Sequence, residues 1–352
     1  MLKTKQDNLP HTDHELFKLN VEHSAFYRTV YNATQLHALG EAVAAGKLSP
    51  IDRLGLLNDT VESAKSGYID TADALMLLEY YHSETSAPVW DIIAATIGSI
   101  RTTMDDDTLR ESMKPYTRRL VAEQLKRLGW EPKRDEPYVD QLLRPTILGM
   151  ASVADEPSVV EECQRRFKAM KKLEDIHPDL RSVVLNTVAR TGSTTEFERL
   201  VDMHNNTTSS EDRLVLTAAL TGFSEPALIK RSLKMITTKD VRHQDVGYWV
   251  AYAFMNRHAK ALAWQWMQKE WQWLHDRLGT DMSFSRFPIY PARSFSEAAF
   301  LKEYRAFFKS VMTPALDRAY KQGIELIEWQ AAWKKRDLAT IKHYFEAKQT
   351  AD

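Results

Sequence analysis

Apolar residues recur at intervals of three and four positions along most of this chain, and short turn-forming sequences separate the segments that share this pattern. Such a period places the apolar side chains on one face of an α-helix. Ser49, Pro50 and Asp52 make a typical helix start, with a capping serine, a proline at the first helical position and an acidic residue in the first turn. Further helix starts are predicted at Asp70, Pro88, Pro157, Pro178 and Pro226. The pattern therefore predicts an all-α fold.

The predicted helices between residues 145 and 278 are short and follow one another with connections of a few residues. Such serial helical hairpins indicate a right-wound stack of antiparallel helix pairs, an α-solenoid like the HEAT and armadillo arrays. No strict repeat period survives, and the polar segments 130–136 and 205–211 are too short to be flexible linkers. We therefore expect one continuous helical domain over residues 23–352.

The first 22 residues have a different pattern. Residues 1–6 and 15–21 read as two short strands, separated by a stretch that begins with the turn formers Asp7 and Asn8. Two strands alone are only marginally stable in water, because each needs more sheet to bury its apolar face. We therefore expect residues 1–22 to form a β-hairpin that remains from a preceding β-sandwich domain.

Composition excludes several classes of function. The formal net charge is −1, which gives no basic footprint for nucleic acid or for an acidic membrane surface. The longest uncharged apolar stretch, residues 92–100, is much shorter than the roughly 20 residues of a membrane-spanning helix. The N-terminal sequence has no apolar signal segment, and the single cysteine, Cys163, excludes an internal disulfide framework. These features favour a cytoplasmic protein with neither nucleic acid nor membrane as a partner.

Residues for catalysis or metal binding are not apparent in the sequence. A zinc peptidase needs two histidines one helical turn apart with a glutamate between them, whereas His14 and Glu15 are followed by Lys18 at the position of the second histidine. Cys163 lies in a predicted amphipathic helix and is expected to be a buried thiol. No nucleophile elbow or phosphate-binding loop is present. We expect no catalytic residue, no metal ligand and no cofactor in this chain.

Two groups of residues near the C-terminal third have both a structural and a functional interpretation. Trp264 and Trp271 share one face of a predicted helix with Met267 and Leu274, which favours core packing over an aromatic ligand cage. Three arginines on a concave solenoid face could bind a peptide carboxylate bidentately, while solvated helix ends and interhelix ion pairs are the more common use of such residues. These arginines are Arg257, Arg286 and Arg293.

Several short segments, distributed in order along the chain, form a recognisable set. They are FKLNV (17–21), AFYRTVY (25–31), LSPIDR (48–53), LLND (56–59), IHPDLR (176–181), VAR (188–190), VRHQD (241–245) and ALAW (261–264). In this order they resemble the C-terminal helical domain of zinc aminopeptidases related to aminopeptidase N, puromycin-sensitive aminopeptidase and the endoplasmic-reticulum aminopeptidases. The resemblance covers nearly the whole chain, although Ala25 replaces the usual glycine and Asn32 the usual aspartate.

The resemblance implies that this domain follows a zinc-bearing catalytic domain and a β-sandwich in one polypeptide. The parent enzyme would remove N-terminal residues from peptides, and the helical domain would cap the active site and line the peptide-binding chamber. This chain by itself would be inactive, because it lacks the zinc motif. The alternative is a free-standing HEAT-like scaffold that binds a protein or peptide partner.

The resemblance also suggests roles for individual residues. Gln244 and Asp245 are candidates to cap a helix that borders the chamber, beside the three arginines named above. The motif residues expected to be architectural are Phe26, Tyr27, Arg28, Tyr31, Arg53, Asp59, Arg181 and Trp264, with the arginines at residues 28 and 53 paired to carboxylates.

Overall fold

The computed structural model describes residues 16–349, and these residues form α-helices joined by short connections, without a β-strand. The prediction of an all-α fold is therefore confirmed for the described part of the chain. The helices are α1 (Ala33–Ala44), α2 (Pro50–Lys65), α3 (Thr71–Leu78), α4 (Ala87–Met104), α5 (Asp107–Leu128), α6 (Tyr138–Val153), α7 (Pro157–Ala169), α8 (Pro178–Thr191), α9 (Thr194–Asn206), α10 (Ser210–Leu220), α11 (Pro226–Met235), α12 (Val246–Met255), α13 (Lys260–Lys269), α14 (Trp271–Leu278), α15 (Ile289–Ala292), α16 (Ala298–Ser310) and α17 (Pro314–Gln349).

Local sequence explains where many of these helices begin. Ser49 caps α2 by accepting a hydrogen bond from the Asp52 backbone N–H, and Pro50 occupies the first helical position. Asn32 and Gln35 form a reciprocal capping box at the start of α1. Prolines also occupy the first turns of α7, α8 and α11, as the sequence predicted.

The predicted N-terminal hairpin is not found in the described residues. Its first strand, residues 1–6, and the turn formers lie outside them. Residues 16–20 of the second strand are irregular, Asn20 has the left-handed backbone conformation (φ 51°), and a 3₁₀ turn follows at Val21–His23. The prediction of a strand here is wrong, because no strand within residues 16–349 pairs with this segment and side chains take up its polar groups instead. For example, the Leu19 N–H donates to the Tyr31 hydroxyl (2.8 Å).

Helices α4, α6, α8, α10 and α12 form a row in which each contacts the next. Helices α5, α7, α9, α11 and α13 each pack against at least one member of this row. The predicted boundary between residues 1–22 and 23–352 stays a prediction.

The long helix α17 packs against both the first and the last helices of the described chain, which the sequence did not predict. It packs against α3, α4 and α5 as well as against α15 and α16. Near its middle, Asp337 accepts a hydrogen bond from the Thr71 hydroxyl (2.5 Å), and the Trp333 indole N–H donates to the same hydroxyl oxygen (3.0 Å). One turn before Trp333, the Gln330 side-chain amide donates to the carbonyl oxygen of Ala292 (2.7 Å). Hydrogen bonds from one helix therefore fix the first helices relative to the last ones.

The tryptophan-rich segment forms two helices rather than one, because the backbone kinks at Glu270 (φ −95°, ψ 14°) between α13 and α14. Trp264 and Trp271 are both buried and pack edge to face against Phe307. The ring of Trp264 also contacts Phe300 at a centroid distance of 5.1 Å. The structure thus places both indoles in the hydrophobic core between α13, α14 and α16.

Candidate functional site

Two open cavities contain the three arginines that the sequence predicted to line a peptide chamber, Arg257, Arg286 and Arg293. The first, which we call the central cavity, has a volume of about 740 Å³ and is lined by residues of α4, α5, α6, α8, α10 and α12. Each helix of the packed row therefore contributes to one wall. Open space lies beside two glycines of this wall, since a Cβ added at Gly98 or Gly149 would meet no atom within 4 Å.

Positive charge exceeds negative charge around the central cavity. Its lining includes four arginines and one lysine, against the carboxylates of Glu111 and Asp155. Asp155 pairs with Lys114 at 2.8 Å and with Arg190. The five lining cations are Arg101, Arg110, Lys114, Arg190 and Arg257.

Asp105, in the connection between α4 and α5, pairs with two of these cations, Arg110 and Arg257. Its backbone is left-handed (φ 40°), and its carboxylate lies 2.6 Å from the Lys260 ammonium, 3.0 Å from Arg257 and 3.3 Å from Arg110. Burial by itself would raise the pKa of Asp105, but the hydrogen bond from Lys260 and the three positive charges outweigh it and lower the pKa. Asp105 is therefore ionised at neutral pH and ties α13 and the connection before it to the end of α4.

Arg101 differs from its neighbours because no carboxylate in residues 16–349 forms an ion pair with it. Burial, together with the charges of Arg110 and Arg190, lowers its pKa to about 10. The guanidinium remains protonated at neutral pH and lines the cavity without an ion pair, although the charge of Asp155 acts on it from nearby. Sequence analysis missed Arg101, because nothing in its local pattern distinguishes it from an ordinary cation near the end of a helix.

Of the five predicted chamber residues, Arg257 is the one that lines the central cavity. Its guanidinium forms ion pairs with Asp105 (3.0 Å) and Asp107 (2.6 Å). The interhelix ion pairing that the sequence left open as an alternative is thus present in the structure, in a side chain that also faces the cavity.

Three other predicted residues meet at the second cavity, which we call the arginine cavity. Gln244, Arg286 and Arg293 line it together with Arg318, and its volume is about 820 Å³. Helix α12, the 3₁₀ turn Met282–Arg286, α15 and α17 enclose it.

Asp245 lines neither cavity. It is buried, and its carboxylate accepts hydrogen bonds from the Arg242 guanidinium at 2.6 and 3.2 Å. Asp245 immediately precedes α12, yet its side chain makes no capping hydrogen bond to that helix. The prediction that Asp245 caps this helix is therefore wrong for its side chain. The other residue of that prediction, Gln244, lies in the 3₁₀ turn before α12.

Four motif residues are internal anchors. Arg53 donates to both oxygens of the buried Glu84 carboxylate, at 2.6 and 2.9 Å, and to the carbonyl oxygen of Leu48. Asp59 accepts hydrogen bonds from the backbone N–H and the hydroxyl of Thr29, each at 2.9 Å. The other two anchors are Tyr31, which is buried beneath the N-terminal segment, and Arg181, which pairs with Asp212 at 2.6 Å.

Three other motif residues lie at the surface. Phe26 is fully exposed, Tyr27 is about half exposed (51%), and Arg28 approaches Glu62 only to 3.9 Å. Phe26 and Tyr27 belong to a set of exposed apolar side chains that we call the N-terminal strip. The strip consists of Leu16, Val21, Phe26, Tyr27 and Val30.

Metal-binding and thiol chemistry have little support within residues 16–349. No group of three or more histidine, cysteine, aspartate or glutamate side chains is positioned there to hold a metal ion. Burial raises the pKa of the Cys163 thiol to about 11, so this thiol stays protonated at neutral pH. None of the described helices is long and apolar enough to cross a membrane.

Sequence comparisons identify similar proteins. Residues 16–328 match the family described as ERAP1-like C-terminal domain. Aminopeptidase 2 of Candida albicans is 28% identical over 99% of this chain and 38% of its own length. Aminopeptidase M1 of Arabidopsis thaliana is 26% identical over 92% of this chain and 38% of its own length. Aminopeptidase N of Lactobacillus helveticus is 28% identical over 88% of this chain. The chain thus spans less than two fifths of the length of these curated relatives.

Proposed function

Since the chain belongs to the family of ERAP1-like C-terminal domains, we propose that it is the non-catalytic C-terminal part of a zinc aminopeptidase. The parent enzyme hydrolyses the N-terminal peptide bond of peptides, and its zinc ion is held by an upstream catalytic domain. This chain caps the active site, and its central cavity forms one wall of the peptide chamber. A cytoplasmic location belongs to the same proposal and rests on the single cysteine.

The central cavity carries this proposal. Stacked helix pairs curve and present a concave surface, so we further propose that the row from α4 to α12 is the HEAT-like α-solenoid predicted from the sequence. A peptide offers carbonyl oxygens and carboxylates to such a wall, and these groups suit the excess of cations on it. Arg101 is the best placed to contact them, because no carboxylate of the described chain forms an ion pair with it. A wall of this kind also keeps water away from the reaction when the enzyme closes.

The N-terminal strip supports the existence of an upstream partner domain. Its large apolar side chains are exposed within a stretch of the chain that precedes the first helix, and exposed apolar surface commonly marks an interface. Phe26 and its neighbours precede the first helix, where a preceding domain joins the chain. The curated relatives are more than twice as long as this chain, which leaves ample polypeptide to cover the strip.

The test compares this chain with a longer polypeptide. We expect the upstream coding sequence to contain an in-frame HExxH motif, and the protein that includes it to hydrolyse aminoacyl-anilides. The 352-residue chain alone should neither take up zinc nor hydrolyse the same substrates. Hydrolysis by the chain alone, or an upstream sequence without a peptidase domain, would overturn the proposal. The second result would favour the free-standing scaffold that binds a protein or peptide partner.

A further inference from the structure

The arginine cavity has the size of a binding site for a small molecule or a short peptide segment. Its volume of about 820 Å³ lies within the usual range of ligand pockets, about 300 to 1,000 Å³. Elements that are distant in the sequence form it, from α12 through α15 to α17. The cavity therefore depends on how these helices pack and not on one local segment.

Its three arginines lack acidic partners. Arg286, Arg293 and Arg318 are all exposed, and within residues 16–349 none of them forms an ion pair. Asp281, the one carboxylate in the lining, lies 2.8 Å from the His243 imidazole. Three cations therefore face a shared space with a single carboxylate to offset them.

Two of the three arginines, Arg286 and Arg293, affect the pKa of the same side chain, Tyr290. Burial raises the pKa of the Tyr290 hydroxyl, while the positive charges of Arg286 and Arg293 oppose the rise. Both guanidiniums therefore lie within electrostatic reach of the Tyr290 ring, which is itself part of the lining. Arg318 faces the same space from α17.

Uncharged groups in the lining add further hydrogen-bond donors. The hydroxyls of Tyr248 and Tyr290 and the side-chain amide of Gln244 make no hydrogen bond within residues 16–349, so they are available to a ligand. A tyrosine hydroxyl and an arginine guanidinium both donate to oxygen acceptors. The Tyr290 hydroxyl lies 3.6 Å from the place where a Cβ would stand on Gly247, so a side chain at this glycine would narrow the cavity. The donors of this cavity thus suit an anion rich in oxygen acceptors.

We propose that the arginine cavity binds a ligand with two or more carboxylates. Arg286, Arg293 and Arg318 stand on three different elements, and each guanidinium can bind a carboxylate bidentately. Separated cations of this kind favour several carboxylates over one. The carboxylates come either from acidic residues of a peptide or from a free di- or tricarboxylic acid. The peptide source depends on the proposed function, whereas the free acid does not.

Calorimetric titration of the 352-residue chain tests the proposal with three probes: citrate, amidated triglutamate and amidated triglutamine. We expect citrate to bind, and binding of triglutamate but not of triglutamine identifies an acidic peptide as a further source. Arg293→Ala removes a charge-assisted contact and should weaken binding about tenfold or more. Arg318→Ala should act in the same direction, since its guanidinium faces the same space. The matched control is Arg134→Ala, which removes an equal charge from a side chain that is 96% exposed and outside the cavity lining.

The outcomes separate specific binding from general attraction between charges. Equal affinity in Arg293→Ala, Arg318→Ala and Arg134→Ala would overturn the proposal, and so would inorganic phosphate that binds as well as citrate. Citrate binding without triglutamate binding assigns the site to free acids, and the absence of both rejects it. Thermal unfolding followed by circular dichroism verifies that each variant is folded. None of these results depends on zinc or hydrolysis, so a failure here leaves the proposed capping function standing.

Discussion

The ion pair between Arg53 and Glu84 gives a quantitative test of the structural role assigned to the motif arginines. The Glu84 side chain is only 1% exposed and that of Arg53 is 17% exposed. The Glu84 carboxylate also accepts hydrogen bonds from the backbone N–H groups of Thr85 and Ser86, both at 2.9 Å. Arg53→Ala removes both guanidinium contacts and leaves a buried carboxylate held by backbone donors alone.

The size of the effect follows from the burial of that carboxylate. Removing one partner of a buried pair typically costs about 3 to 5 kcal/mol, because the remaining charge is no longer compensated. Two backbone donors remain to Glu84, so we expect about 3 kcal/mol of lost unfolding free energy at pH 7. Arg28→Ala is the matched control. Its contact with Glu62 is 3.9 Å long and exposed, so we expect a loss of about 0.5 kcal/mol or less.

The pH dependence of the stability lost in Arg53→Ala shows whether the unpaired Glu84 carboxylate causes the loss. Burial would raise the pKa of Glu84, but the hydrogen bonds from Arg53 outweigh it, and the pKa lies below its usual value of 4.5. The pair therefore stabilises the native state above the unfolded-state pKa, and this contribution is lost as pH falls through the folded-state pKa. In Arg53→Ala, only the backbone N–H groups of Thr85 and Ser86 oppose the effect of burial on the Glu84 pKa, so the carboxyl takes up a proton at a higher pH. The difference between wild type and variant should therefore shrink as the pH falls from 7 toward 4.5.

Urea unfolding followed by circular dichroism at pH 7, 6, 5 and 4.5 measures this difference. Adding Glu84→Gln to Arg53→Ala removes the unpaired charge and should restore part of the lost stability at pH 7. Equal stability of Arg53→Ala and Arg28→Ala, or a loss that does not change with pH, would refute the explanation based on an unpaired buried carboxylate.

Three further predictions concern α17, the thiol and the central cavity. Asp337→Ala removes the acceptor for the buried Thr71 hydroxyl and a partner of Arg336. It should lower the free energy of unfolding in urea by about 2 to 4 kcal/mol, and a loss below about 1 kcal/mol would contradict the role of α17 in holding the first and last helices together. Cys163 is buried, with a pKa raised to about 11, and should react with a thiol reagent only after denaturant is added; fast labelling of the native chain would contradict this. In the parent aminopeptidase, Arg101→Ala should lower kcat/KM about tenfold for peptides and leave it unchanged for aminoacyl-anilides; equal effects on both substrates would refute a chamber contact.

The two incorrect predictions of secondary structure have physical reasons. A strand is stable only beside another strand, so the alternation within residues 15–21 did not determine the conformation of that segment. The apolar stripe from Trp264 to Leu274 marked core positions correctly, but it could not show the kink at Glu270, because both helices bury the same face.

The sequence by itself determined the helical class, many helix starts and the family. These properties depend on apolar periodicity and on capping residues a few positions apart, and both can be read within a short window. It also placed Arg257, Arg286 and Arg293 among the residues to examine.

Only the tertiary structure decided which of these cations are neutralised and which face open space. Asp105 and Arg257 are 152 positions apart in the chain, yet their side chains lie 3.0 Å from each other. Thr71 and Asp337, which join the first helices to α17, are 266 positions apart. An ion pair or a cavity depends on how distant helices pack, and neither capping residues nor apolar periodicity carries that information.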